Sequence, residues 1–278
     1  MIAQPYLLHA LSPLHAGVGQ AAELIDLPIA RLKGTGIPFV PGSSIKGVLR
    51  DTCTQTKPAS VDAVFGPDRE NANKHAGALV CTDARLLALP VRSFRGTFAY
   101  VTSPLLLTLA ARDLDRAPAI PKPPVNTCMA TEATLAFNGM VHLEDLDLRC
   151  HKPDKDFEAW RDRLGEKLGM QQVFRNRFAI VDDEVMTFLW ETATQLDQRV
   201  RISSTTRTVE KGALWLEESL PPETLLIGLL VAEPSRHPDH RMKEEDVLEA
   251  VLPAKPERVL QFGGKSTVGR GRCRMMRL

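Results

Sequence analysis

The residues that could carry chemistry lie at both ends of the chain. The closing segment QFGGKSTVGRGRCRMMRL, Gln261 to Leu278, sets four glycines among five basic residues and holds no acid. Its GGKST stretch ends like a nucleotide-binding P-loop, but that motif needs a glycine where this chain has Val259. It also needs a helix to follow, and Gly269 and Gly271 come too soon for one. What remains is a loop in which Gly263 and Gly264 let a backbone approach closely, with Lys265, Arg270 and Arg272 adding positive charge. Such a loop suits a phosphate backbone; the plainer reading is a glycine-rich turn with solvated arginines.

Four other groups stand out. Asp26 lies between Ile25 and Leu27 in IDLPIAR. A lone aspartate there usually caps a turn. His15 sits on a turn with Gly17 and Gly19. Ser43, Ser44, Lys46 and Arg50 gather where a helix should begin, with a serine as its cap, and helix N-termini attract phosphate. Arg201, Arg207, Lys211 and Trp215 belong to an alternating stretch that reads as an exposed hairpin arm. Glu217 and Glu218 follow it and read as surface charge, with a second catalytic carboxylate as the alternative.

The elements that must position these residues follow from pattern. AQPYLLHAL reads as a strand, and Pro28 keeps IDLPIAR extended. GSSIKGVLRDTC is amphipathic and helical. GALVCTDARLLALPV and FAYVT read as strands. SPLLLTLAARDL opens a helix, with Ser103 as cap and Pro104 at its first position. RAPAIPKPPVN is a loop, and Asn138-Gly139 is a hairpin turn. DFEAWRDRLGEKLG is a short helix. Leu225 to Val231 is a buried strand, KEEDVLEAVL a helix and ERVLQFGG a strand. This order suits an α+β fold of the ferredoxin-like type.

Composition narrows the class. The chain has 278 residues, 44% hydrophobic and 25% charged, with a net charge of +1. The charge excludes a protein basic all over and leaves room for a local basic groove. No apolar run is long enough to span a bilayer, and MIAQPYLLHALSP lacks the basic start of a signal peptide, so a cytoplasmic protein is expected. Cys53, Cys81, Cys128, Cys150 and Cys273 form no C-x-x-C, so reduced thiols are expected. His237 and His240 make an H-x-x-H in a polar, proline-containing stretch that reads as an exposed loop.

FGGKSTVGRGR resembles the glycine-rich loop of the RAMP superfamily, the RNA-binding proteins of CRISPR systems. LHALSPLHAGVGQ (residues 8–20), IDLPIAR (25–31), GIPFVPGSSIKGVLRD (36–51) and GALWLEESLPPETL (212–225) resemble, in that order, the repeated backbone subunit of the type III-B Cmr complex. Regions near 55–75 and 145–190 carry no such motif.

The resemblance implies one RAMP domain over residues 1–278. This would be a ferredoxin-like (RRM-like) palm with a helical insertion at about 52–130 and a β-hairpin thumb at about 196–220. It implies a filament of copies on a CRISPR guide RNA, with other Cmr subunits, that cuts complementary target RNA at regular intervals with a divalent metal, Mg or Mn. It places the catalytic aspartate at Asp26. His15, Ser43, Ser44, Lys46, Arg50, Arg201, Arg207, Lys211, Trp215, Gly263, Gly264, Lys265, Arg270 and Arg272 become RNA contacts. Two alternatives are a binding-only RAMP subunit and a RAMP ribonuclease that processes precursor guide RNA.

Overall fold

The computed structural model describes every residue except 18, 20–24, 72 and 254–256, and the side chains of 69, 132 and 211 are likewise outside it. Val18 and Gln20 of the LHALSPLHAGVGQ motif and the side chain of Lys211 therefore lie outside the described residues. In chain order the first half holds β1 (Ile2–Ala10), β2 (Phe39–Val40), α1 (Gly42–Thr56), α2 (Val61–Phe65), β3 (Leu79–Cys81), β4 (Ala84–Ser93), β5 (Thr97–Thr102) and α3 (Pro104–Ala111). Then come β6 (Thr127–Ala130), α4 (Glu132–Leu135), β7 (Ala136–Phe137), β8 (Met140–Leu143), β9 (Leu146–His151), α5 (Lys155–Leu168), α6 (Gln171–Arg177), β10 (Phe178–Val181) and α7 (Asp183–Thr192). The last elements are β11 (Gln195–Ile202), β12 (Val209–Ser219), β13 (Leu225–Ala232), α8 (Glu244–Val251), β14 (Arg258–Gln261) and β15 (Arg272–Arg277).

The fold is mixed α/β. One sheet runs β14-β15-β1-β13-β4-β5-β10-β6-β9-β8-β7, with β2 on β4 and β3 on β13. β1 lies antiparallel between β13 and β15. Alternation sends its side chains to opposite faces. Tyr6, Leu8 and Ala10 join Ile45 and Leu49 of α1 and Val247 and Val251 of α8 in one core. Leu7 joins Phe157, Trp160 and Leu164 of α5 and Phe174 of α6 in a second. The sheet is thus covered on both faces, which explains why β13 reads as the unbroken apolar run LLIGLLVA.

Three expectations need correction. GALVCTDARLLALPV is two strands, broken at Thr82-Asp83 because the Asp83 carboxylate turns away to accept the Gly42 N–H at 2.8 Å. Residues 52–130 are not a helical insertion as a whole, since β3 and β4 pair with β13 beside β1. Helix α1 begins at Gly42 with Pro41 as its N-cap, and no side chain caps it. Ser43 and Ser44 are therefore already inside the first turn, with their hydroxyls uncommitted within the described residues.

Other elements follow the pattern. Ser103 accepts from Leu106 N–H ahead of Pro104. Asn138 and Gly139 have φ of 51° and 76°, the left-handed pair that a type I′ turn requires. β11 and β12 form a separate two-stranded hairpin. Such a ribbon is marginal in water by itself, so what anchors its base matters.

Candidate functional site

The hairpin base is anchored by two neighbouring carboxylates. Glu217 and Glu218 are each only 2% exposed, so the expectation of surface charge is wrong for both. Strand alternation sends them to opposite faces, and each face supplies partners from a distant part of the chain. Glu218 accepts from Arg31 at 2.5 Å, from Thr194 at 2.9 Å and from the Ile29 N–H at 3.0 Å. Glu217 accepts from Lys265, from the Trp215 indole N–H at 2.7 Å and from Arg199 at 3.3 Å. Burial works to raise the Glu217 carboxyl, but the hydrogen bonds from Lys265, Trp215 and Arg199 outweigh it and hold it at about 2.

These anchors fix the IDLPIAR segment. The Leu27 N–H donates to Leu216 O at 3.1 Å, and the Glu218 N–H donates to Leu27 O at 3.0 Å. Asp26 is exposed, and its Oδ2 accepts from the Leu216 N–H at 2.8 Å. One carboxylate oxygen is thus oriented by backbone, while Oδ1 has no protein partner among the described residues. Asp26 opens onto a cleft of about 530 Å³ lined also by Arg201, Glu210, Trp215 and Lys265. Glu210 was not singled out in the sequence. A charged residue on an exposed strand carries no signal until the register turns it toward Asp26.

A second groove, of about 400 Å³, is lined by His15, Gly17, Ser44, Gly47, Gly263 and Gly264, among others. His15 is buried and donates Nδ1–H to the Glu218 carbonyl at 2.7 Å, so that nitrogen carries the proton. A Cβ on Gly17 would lie 2.5 Å from His15 Nε2. The Gly264 N–H donates to His15 O at 3.1 Å. Gly263 has φ of +71°, and a Cβ there would lie 2.2 Å from that same carbonyl oxygen, so only glycine lets the closing loop pass. Ser43, Lys46 and Arg50 are on the same helix as Ser44. Lys46 has no ion-pair partner among the described residues, and Arg50 has only a 3.8 Å contact with Asp62.

Other expected RNA contacts divide. Arg270 is corrected: it is 3% exposed, its guanidinium pairing with Asp197 at 2.5 Å and bonding the Ser219 hydroxyl. A cation so enclosed serves the fold and cannot reach a phosphate. Lys265 is held by Glu217 but still lines the Asp26 cleft. Arg272 is exposed and makes no side-chain ion pair among the described residues. Trp215 lies partway along the hairpin opposite Arg199 and short of the tip; Arg207 is near the tip and exposed. Arg201 is 69% exposed, with one 3.8 Å contact to Glu210. His237 Nδ1 accepts from the backbone of its own loop, and His240 bonds Ala59 O. Among the described residues no group of three or more His, Cys, Asp or Glu is arranged to hold a metal. No helix among them is long and apolar enough to cross a membrane.

Fold and site together define a mixed α/β protein with a projecting hairpin, an acid-bearing loop docked at its base and a glycine-rich closing loop beside that loop. The chain belongs to the RAMP superfamily, whose family description matches residues 7–274. It is 36% identical over 278 aligned residues, 95% of this chain and 92% of the relative, to the CRISPR system Cmr endoribonuclease Cmr4 of Pyrococcus furiosus. The crystal structure of oligomeric Cmr4 from Pyrococcus furiosus superposes with a TM-score of 0.76 at 28% identity, covering 100% of this chain and 99% of that one. A chain of the type III-B Cmr-beta complex bound to cognate target RNA shares the fold, with a TM-score of 0.77 at 21% identity and coverage of 100% and 97%.

Proposed function

We propose that this chain is the repeated, guide-RNA-binding backbone subunit of a type III-B CRISPR effector complex, acting with other Cmr subunits in the cytoplasm. We further propose that it cuts complementary target RNA at regular intervals. The observation that carries the reading is Asp26: an exposed carboxylate fixed by the Leu216 N–H at the mouth of a cleft beside the hairpin base. Likeness to a relative named an endoribonuclease supports the same reading. The strand order β15-β1-β13-β3, all antiparallel, with α1 between β1 and β3 and α8 between β13 and β15, supports a ferredoxin-like palm. The β11–β12 hairpin would be the thumb.

The reaction we assign uses a hydroxyl that RNA has and DNA lacks. The ribose 2′-oxygen attacks the adjacent phosphorus and loses its proton. The bond from phosphorus to the 5′-oxygen breaks, and that oxygen takes up a proton, leaving a cyclic phosphate and a 5′-hydroxyl. A carboxylate is a weak base for a ribose hydroxyl, so Asp26 acts by orienting it or by holding a cation. Its free Oδ1 fits magnesium or manganese, which accept one carboxylate together with substrate phosphates and water. Such an ion, when bound, would polarise the phosphate and acidify the hydroxyl. Distorting the target strand out of A-form stacking would permit in-line attack. The groove at His15, Ser44, Gly263 and Gly264 would hold guide backbone, with Lys46 and Arg272 as flanking charge.

The test is a complex assembled on guide RNA and given end-labelled complementary target. Regularly spaced cuts that vanish in Asp26→Asn, with target still bound, are expected. Binding without cuts in the wild type would instead favour a binding-only subunit, and cuts confined to a longer guide precursor would favour a processing ribonuclease.

A further inference from the structure

We infer that Arg201, on the hairpin of the same copy that carries Asp26, is a further catalytic residue, stabilising the charge that builds on the scissile phosphate. This rests on the cutting reaction proposed above. The cleft sets Asp26 and Glu210, both anionic, around the space a phosphodiester would enter. Two carboxylates facing a phosphate repel it, so the cleft needs an available cation. Among the described residues two cations line it. Lys265 is already bound by Glu217, a carboxylate almost wholly buried. Arg201 is 69% exposed, and its only partner among the described residues is Glu210 at 3.8 Å, itself 43% exposed. An exposed pair at that distance is weak, so Arg201 can exchange Glu210 for a phosphate at little cost.

The guanidinium also suits the reaction by shape. Its parallel N–H groups match two non-bridging phosphate oxygens, and those oxygens carry more charge in the five-coordinate transition state than in the ground state. Arg201 transfers no proton; it holds charge while the 2′-oxygen bonds to phosphorus and the 5′-oxygen leaves. β11 and the IDLPIAR loop are both tied to β12, Arg199 facing Trp215 and Leu27 bridging to Glu217. Each copy therefore brings its own arginine to its own aspartate.

The experiment uses the assembled complex with guide RNA and saturating labelled target, measured in single turnover. Wild type, Asp26→Asn, Arg201→Lys and Arg201→Ala are compared, with target retention followed by gel shift. Arg201→Ala should retain target yet cut about 10²–10³-fold more slowly. Arg201→Lys should recover only part of the rate. Added guanidinium should speed Arg201→Ala and leave Asp26→Asn unchanged. Cutting by Arg201→Ala at the wild-type rate under saturation overturns the inference and reduces Arg201 to a binding contact. A slow Arg201→Ala that guanidinium does not speed overturns it too. If the wild type fails to cut, or Asp26→Asn cuts normally, it is the cleavage reading that fails.

Discussion

The two grooves that meet at the hairpin base are built from opposite materials. The Asp26 cleft is walled by long charged side chains on an exposed arm, and its one oriented carboxylate leaves an oxygen unpartnered. The His15 groove is walled by glycines, a serine and backbone, and its imidazole is turned inward to a carbonyl. A surface of small residues and peptide N–H groups can follow a sugar-phosphate backbone closely without discriminating bases or reacting with them. A surface of movable charges can change its contacts as charge develops. On the proposed function, holding RNA and cutting it belong to neighbouring surfaces, and the two buried glutamates of β12 anchor segments that wall them.

The largest effect that would break this comparison comes from β12. Glu218→Ala leaves Arg31 Nη2 and the Ile29 N–H without their carboxylate acceptor and should cost about 3 kcal/mol of stability, measured by denaturant unfolding. Because Glu218 also holds the Asp26 loop, cutting should fall with it.

A smaller effect depends on acid. Glu217 is held at about 2, below the ordinary value of 4.5, so it contributes stability that is fully present above 4.5 and is lost as pH falls through about 2. Protection of the β12 amides against hydrogen exchange, taken relative to the intrinsic rate at each pH, should fall across that window, and Glu217→Gln should lose the part of that fall that Glu217 contributes. The smallest effect sharpens the holding surface. Lys46→Ala should weaken binding of all guide sequences alike and lower the salt slope by about one phosphate contact, measured by titration at several salt concentrations.

Local signals made much of the fold legible. Pro104 behind Ser103, Asn138-Gly139 and the apolar run of β13 are each decided within a few residues, and each was readable. So was the hairpin arm, whose alternation is unbroken by core demands. The sheet extension through β10 was not readable. FAIV is too short to distinguish a strand from a helix end, and its partners Tyr100 and Ala130 are far off in sequence.

Asp26 was legible only through resemblance, since a single acid in a loop has no pattern. The glutamate pair was misread because adjacent charges on a strand normally leave at least one in water. Here the compensating cations come from Lys265 and Arg31, 48 and 187 residues away. Arg270 was misread for the same reason: a basic residue between glycines looks solvated until Asp197 arrives from the hairpin.

On the proposed function, Asp26 cuts target RNA without holding it. The direct measurement is target affinity and single-turnover cleavage rate, taken side by side for wild type and Asp26→Asn in the guide-loaded complex. The predicted result is unchanged affinity with a rate lowered by about a thousandfold or more. Normal cutting by Asp26→Asn, or a loss of cutting explained by lost target binding, would contradict it.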